Sequence, residues 1–127
     1  MLTATCHCGA VHVTVPRKPR SVTDCNCSIC RRYGVLWAYY KASAVRIEAK
    51  RGATDSYAWG GKLHPAGRNS ALRFLRCATC GCVMCWQRVR PDPTRHMGVN
   101  ARNFPLEVLK SLRIQPLDGA AWYGTTH

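Results

Sequence analysis

Short runs rich in apolar residues recur along the chain and are separated by frequent turn sequences. The turns are marked by glycine, proline and aspartate, as in the stretches RKPR, RGATD, WGGK, HPAG and RPDP. Short apolar runs between such turns are typical of β-strands. The pattern predicts eight strands: Val11–Val15, Leu36–Lys41, Val45–Ala49, Ser56–Trp59, Leu72–Arg76, Val83–Gln87, Met97–Asn100 and Arg113–Gln115.

Two segments have helical features instead. A helical turn is predicted over Ser28–Tyr33, and in PLEVLKSL the apolar residues fall at helical intervals, with Pro105 suited to a first helical position. The polar stretch KLHPAGRNS, residues 62–70, predicts an exposed loop. Because 127 residues can bury one core but not two, we expect a single, mainly β domain over residues 1–127.

The sequence gives no indication of a membrane span or of secretion. The longest apolar run, GVLWAYY, is far shorter than a membrane-crossing helix requires. The N-terminal stretch MLTATCHCGAVHV lacks the basic segment and apolar core of a secretory signal. We therefore expect a soluble, cytoplasmic protein that does not contact a membrane.

The chain is strongly basic, and this charge bears on its partners. Nineteen Lys and Arg residues against six Asp and Glu give a formal charge of +13, which attracts nucleic acid or small anionic substrates. The basic residues are scattered, with no run longer than two and no known DNA-reading helix, so nucleic acid is the less favoured partner. The aromatic residues are interpreted as core or pocket wall rather than as a stacking platform for bases: Trp37, Tyr39, Tyr40, Trp59 and Trp86.

Nine cysteines are the main chemical feature of the sequence. Cytoplasmic thiols stay reduced, so clustered cysteines there favour metal binding over disulfides or buried free thiols. Three groups occur: CHCG at Cys6 and Cys8, CNCSIC at Cys25, Cys27 and Cys30, and CATCGCVMC at Cys77, Cys80, Cys82 and Cys85.

Glycine follows the second cysteine in two of these groups. In a zinc knuckle the residue at that place commonly has a positive φ, which favours glycine, and Gly9 and Gly81 stand there. The simplest pairing joins these two half-sites into one closed, structural zinc site. Its ligands are Cys6, Cys8, Cys77 and Cys80.

The middle group has no trailing glycine and is predicted to lie at a strand end before a helical turn. Three thiolates, from Cys25, Cys27 and Cys30, can hold zinc and leave one tetrahedral position for a substrate atom. The alternative is a closed site whose fourth ligand is Cys82, Cys85 or a histidine. A metal with thiolate ligands polarises a carbonyl weakly but orients an incoming thiolate well, so the group favours thiol chemistry. Two occupied zinc sites would lower the net charge to about +10.

The three motifs in this order, with the stretches CNCSICRRYGVLWAYY, CATCGC and MGVNARNF, resemble the glutathione-dependent formaldehyde-activating enzyme (GFA) family, which includes the centromere protein V domain. The resemblance implies twisted antiparallel sheets around zinc, similar to methionine sulfoxide reductase B and the zinc-binding Rab chaperones. It implies two zinc ions, one structural on the four knuckle cysteines and one functional on the middle three. The stretch CGCVMCW departs from the family, because Cys85 replaces an expected histidine and adds a thiol that can bind the second metal or pair with Cys82.

The resemblance implies a carbon–sulfur lyase in which glutathione, or a similar thiol, binds at the open zinc position and adds to formaldehyde or a related aldehyde. The product is a hemithioacetal such as S-hydroxymethylglutathione. Arg31, Arg32 and Arg102 are candidates to hold the carboxylates of the thiol. Two alternatives are a glutathione carrier on the same site and a zinc-stabilised module that binds nucleic acid. A homodimer is left open.

Overall fold

The computed structural model describes residues 1–59 and 72–123, which form ten strands and three short α-helices. The strands are β1 Leu2–Thr5, β2 Val11–Val15, β3 Ser21–Cys25, β4 Trp37–Lys41, β5 Arg46–Ala49, β6 Thr54–Trp59, β7 Leu72–Cys77, β8 Val83–Arg88, β9 His96–Asn100 and β10 Arg113–Leu117. The helices are α1 Ser28–Tyr33, α2 Leu106–Lys110 and α3 Gly119–Tyr123. The predicted mainly β fold is confirmed.

The eight predicted strands are all present with small shifts at their ends, and α1 has the predicted bounds. The predicted strands and helices omit β1, β3 and α3, although the middle cysteine group is predicted to lie at a strand end, which is where β3 ends. It also placed Pro105 inside its helix, whereas Pro105 is the N-cap of α2, one residue earlier. The predicted loop over residues 62–70 lies outside the described residues. No helix in residues 1–59 or 72–123 is long and apolar enough to cross a membrane.

The strands form two sheets. One has three antiparallel strands in the order β1-β2-β5, and the other has seven in the order β10-β3-β4-β9-β8-β7-β6. The prediction of purely antiparallel sheets was wrong at one place, because β10 pairs with β3 in parallel, with Leu117 opposite Cys25. A parallel pair needs a long crossover connection, here the chain between these two strands, and no local pattern reveals its direction.

The seven-stranded sheet has a buried cluster on each face. Side chains alternate along β4, so Ala38 and Tyr40 join a cluster that contains Val13 of the three-stranded sheet, whereas Trp37 joins a second cluster with Phe74. The first cluster is the core between the two sheets. The second contains all three cysteines of the middle group: Cys25, Cys27 and Cys30. The fold therefore seats this group on the face of the large sheet opposite the main core.

Candidate metal centres

Two distant turns bring four thiols together. Cys6 and Cys8 lie in the turn between β1 and β2, and Cys77 and Cys80 lie at the turn between β7 and β8. Their four sulfur atoms lie within 4.8 Å of one another. The distance between sulfurs is 3.7 Å for Cys6 and Cys8 and 3.5 Å for Cys8 and Cys77. Tetrahedral zinc with Zn–S bonds of about 2.3 Å sets its sulfurs about 3.8 Å apart, so the donor set fits zinc.

The backbone at these two turns has the geometry that the sequence predicted. Gly9 and Gly81 have φ angles of 83° and 78°, which confirms the expected left-handed residue after each pair of cysteines. The N–H of Val11 donates to the sulfur of Cys6 at 3.2 Å. Backbone N–H groups of Cys82 and then Cys8 lower the pKa of Cys80 to about 5. Such donors stabilise the thiolate form that a metal needs.

The middle group forms a second cluster of three thiols. Cys25 is the last residue of β3, Cys27 caps the N-terminus of α1 and Cys30 lies within that helix. Their sulfurs lie within 4.8 Å of one another and all three residues are buried. A strand end followed by one helical turn is enough to converge three ligands. Three sulfurs fit a tetrahedral zinc that has one further position.

Hydrogen bonds set the protonation of this cluster. The thiols of Cys25 and Cys30 lower the pKa of Cys27 to about 3. The bond to Cys27 in turn raises the pKa of Cys25. The indole Nε1 of Trp37 donates to the sulfur of Cys30 at 3.2 Å. One sulfur of the three is thus favoured as a thiolate, and the ring of Trp37 fixes the orientation of another.

A cavity of about 90 Å³ opens onto the three thiols. Its remaining wall is aromatic and aliphatic: Trp37, Tyr39, Leu72, Phe74, Trp86 and Leu117. The sequence predicts that its large aromatic residues belong to the core or to a pocket wall, and Trp37, Tyr39 and Trp86 lie in this wall. The ring centroids of Tyr39 and Trp86 are 6.3 Å apart in an edge-to-face arrangement. The cavity therefore offers sulfur atoms at one end and low polarity elsewhere.

Gly98 of β9 makes room for one side of this wall. A Cβ atom at this position would lie 2.1 Å from Nε1 of Trp86 and 2.5 Å from its Cδ1. The indole ring therefore rests directly on the backbone of its neighbouring strand, where Gly98 is the pairing partner of Trp86. The sequence MGVN alone does not show whether Gly98 is required by a turn or by a close contact.

The three candidate arginines lie around α1 rather than in the cavity. Nη1 of Arg32 donates to the carbonyl of Ser28 at 2.8 Å, and Nε of Arg102 donates to the carbonyl of Gly34. Arg31 is exposed on the same helix. None of the three is among the described residues that line the cavity.

The two additional cysteines lie apart from the cluster of three. A backbone N–H of His7 acts to lower the pKa of the Cys82 thiol, but burial and the thiol of Cys80 raise it overall. These partners place Cys82 beside the four-thiol group. Cys85 is completely buried in the core between the sheets, and burial raises the pKa of its thiol to about 12. Within the described residues, the cluster of three sulfurs includes neither. The geometry therefore gives no support to Cys82 or Cys85 as its fourth ligand.

Comparisons with known proteins relate this chain to one family and to one solved structure. The family model of the glutathione-dependent formaldehyde-activating enzyme matches residues 1–106. A crystal structure of a Rhodobacter sphaeroides protein, solved as a structural genomics target, has a TM-score of 0.65 and 26% sequence identity to this chain. That similarity covers 90% of this chain and all of the other. No curated protein matches the sequence.

Proposed function

The chain belongs to the glutathione-dependent formaldehyde-activating enzyme family, and on this premise we propose that it is a zinc-dependent carbon–sulfur lyase that joins a glutathione-like thiol to formaldehyde or a related small aldehyde. The observation that carries the proposal is the cavity over the three thiols, since a closed structural site would have a fourth protein ligand there. The proposed catalytic group is Cys25, Cys27 and Cys30.

The reaction is an addition that forms one bond between sulfur and carbon. The substrate thiol loses its proton, its sulfur attacks the carbonyl carbon, and the electron pair of the C=O bond moves to oxygen, which takes up a proton. Zinc held by the three cysteines supplies, when bound, the positive charge that favours the thiolate form of the substrate. The product is a hemithioacetal, and the reverse reaction breaks the same carbon–sulfur bond.

The residues around the three sulfurs have separate roles in this proposal. The low pKa of Cys27 provides a thiolate ligand near neutral pH. The hydrogen bond from Trp37 holds Cys30 in place. Trp86, Tyr39 and Phe74 give the cavity a largely apolar wall, and low polarity around the sulfurs strengthens the electrostatic interactions there.

The size of the cavity supports a small aldehyde. Pockets that enclose drug-sized ligands have volumes of about 300–1,000 Å³, whereas this cavity measures about 90 Å³. It has room for a substrate sulfur and a carbonyl compound of a few atoms, while the rest of a tripeptide thiol must lie outside it.

The four-thiol group is proposed to be structural. It joins the β1–β2 turn to the β7–β8 turn, which are about 70 residues apart, and its glycine turns and N–H donors fit a closed zinc site. We place the protein in the cytoplasm, where both groups of thiols stay reduced and low-molecular-weight thiols are abundant.

Metal content and glutathione binding, measured together on the wild type and on Cys27→Ser, test the proposal. We expect two zinc ions per chain and zinc-dependent glutathione binding in the wild type. Cys27→Ser should remain folded with one zinc, because the ligands of the second zinc come from one local segment and do not hold distant parts of the chain together. It should lose glutathione binding. Hemithioacetal formation, measured by NMR exchange against the uncatalysed rate, separates an enzyme from a carrier.

Two results would contradict this reading. A wild-type protein whose thiol binding does not depend on the second metal would make that site structural. Tight DNA binding that weakens steeply with salt, without thiol binding, would favour the nucleic-acid module instead.

A further inference from the structure

Among the described residues, the wall of the cavity over the three thiols has no group that could recognise the charged part of a glutathione-like substrate. Its wall consists of cysteine sulfurs and of apolar or aromatic side chains. Arg32 and Arg102, two of the arginines considered for this role, instead donate to backbone carbonyls beside α1. A carboxylate that leaves the cavity would need a cationic partner elsewhere along its wall.

Arg88 is such a cation. It is the last residue of β8 and the pairing partner of Leu72, and it lies two residues after Trp86. Side chains two residues apart in a strand share a face of the sheet, so Arg88 is on the same face as the cavity. Its guanidinium carbon lies 6.0 Å from the ring centroid of Trp86, which itself lines the cavity.

The guanidinium of Arg88 has an unused hydrogen-bond donor. Its Nε is buried and has no hydrogen-bond partner in the part of the chain that the structure describes. Buried donors are nearly always paired in folded proteins, so an unpaired one indicates a missing acceptor. The nearby Asp92 carboxylate accepts instead from the backbone N–H and hydroxyl of Thr94, at 3.0 Å and 2.7 Å. Neither ion pair formed within the described residues involves Arg88.

Arg88 also lines a second, larger cavity of about 400 Å³. This volume falls in the range of small-molecule sites. Arg73, Gln87 and His96 contribute further hydrogen-bond donors to its wall. Arg88 therefore lies beside Trp86, which lines the small cavity, and in the wall of a larger cavity with room for a polar, anionic group.

We propose that the thiol substrate carries a carboxylate and that Arg88 binds it, next to Trp86, while the substrate sulfur lies at the three cysteines. This inference rests on the proposed function and names the residue by which the site would select anionic thiols over neutral ones. A planar guanidinium with an unpaired Nε offers a carboxylate two parallel hydrogen bonds.

Calorimetric binding to the zinc-loaded protein tests this assignment with three probes. Glutathione carries carboxylates and a thiol, 2-mercaptoethanol is a neutral thiol without a carboxylate, and S-methylglutathione carries the carboxylates without a free thiol. We expect Arg88→Gln to weaken glutathione and S-methylglutathione by about tenfold or more and to leave 2-mercaptoethanol within about twofold. Arg88→Lys should restore part of the loss.

Arg46→Gln is the matched control, because it removes one positive charge from an exposed strand where Arg46 pairs with Glu48. It should leave all three affinities within about twofold. Equal weakening of all three probes by Arg88→Gln, or no weakening of any, would overturn the assignment, as would a wild type that binds no anionic thiol. If the carboxylate-dependent loss is seen but no hemithioacetal forms above the uncatalysed rate, the lyase proposal fails and the assignment of Arg88 stands.

Discussion

Replacement of Gly98 by alanine tests whether the wall of the thiol cavity depends on one missing side chain. The new Cβ would lie 2.1 Å from Nε1 of Trp86, whereas real Cβ atoms essentially never come closer than 3.0 Å, so the ring or the strand must shift by at least the difference, 0.9 Å. Gly98 is not among the positive-φ glycines of the described chain, so the cost comes from this contact and not from backbone strain.

Overpacking of this kind costs about 1–3 kcal/mol. We expect the free energy of unfolding of Gly98→Ala, measured by urea denaturation, to fall by about 2 kcal/mol. Because the displaced ring forms part of the cavity, thiol affinity should fall by about tenfold to a hundredfold. Calorimetry with 2-mercaptoethanol measures this loss without involving the carboxylate.

The double variant with Trp86→Leu provides the control. Without the indole ring, the alanine at position 98 should cost less than about 1 kcal/mol relative to Trp86→Leu alone. An equal cost in both backgrounds would show that Gly98 is required for some other reason. Wild-type stability and affinity in Gly98→Ala itself would refute the close contact.

Two further predictions concern cysteines. Cys77→Ser should give an insoluble or unfolded protein, because loss of a structural ligand removes on the order of 10 kcal/mol of metal-linked folding energy. This is comparable to the whole stability of a domain. A soluble variant that melts cooperatively with two zinc ions would contradict the structural assignment. Cys85→Ala should stay folded, and its free energy of unfolding should fall by about 1–2 kcal/mol because the substitution leaves a cavity in the core. Metal analysis and calorimetry should show that it keeps both metals and glutathione binding. Loss of the second metal would make Cys85 a ligand.

The sequence predicted most of the fold because short apolar runs and turn residues are local signals. It missed β1, in which only Ala4 is fully buried, and β3, in which Thr23 and Asp24 separate the two buried residues. The predicted end of β10 at Gln115 was too early, since Pro116 continues the strand. Proline lacks an N–H group, but an edge strand tolerates it, and β10 is at the edge of its sheet.

At the candidate site, too, local features could be predicted from the sequence and long-range ones could not. The grouping of cysteines could be proposed from spacing and glycines, because knuckles and helical turns are local. Arg88 and Gly98 could not be found, because their relation to the cavity depends on which strands are neighbours. Leu72 is next to Arg88, and Trp86 is next to Gly98, only once β7, β8 and β9 have paired. The sequence favours Arg31 and Arg32, which follow Cys30, together with Arg102. Arg32 and Arg102 instead donate to backbone carbonyls.

The parallel pairing of β10 with β3 has an evolutionary consequence. It brings Leu117 into the wall of the thiol cavity, although the match to the family model covers residues 1–106. Descendants of a common ancestor can therefore diverge in this last strand while every cysteine is retained. Such divergence changes two features together, because Leu117 lines the cavity and its carbonyl also accepts from the backbone N–H of Asn26, between Cys25 and Cys27.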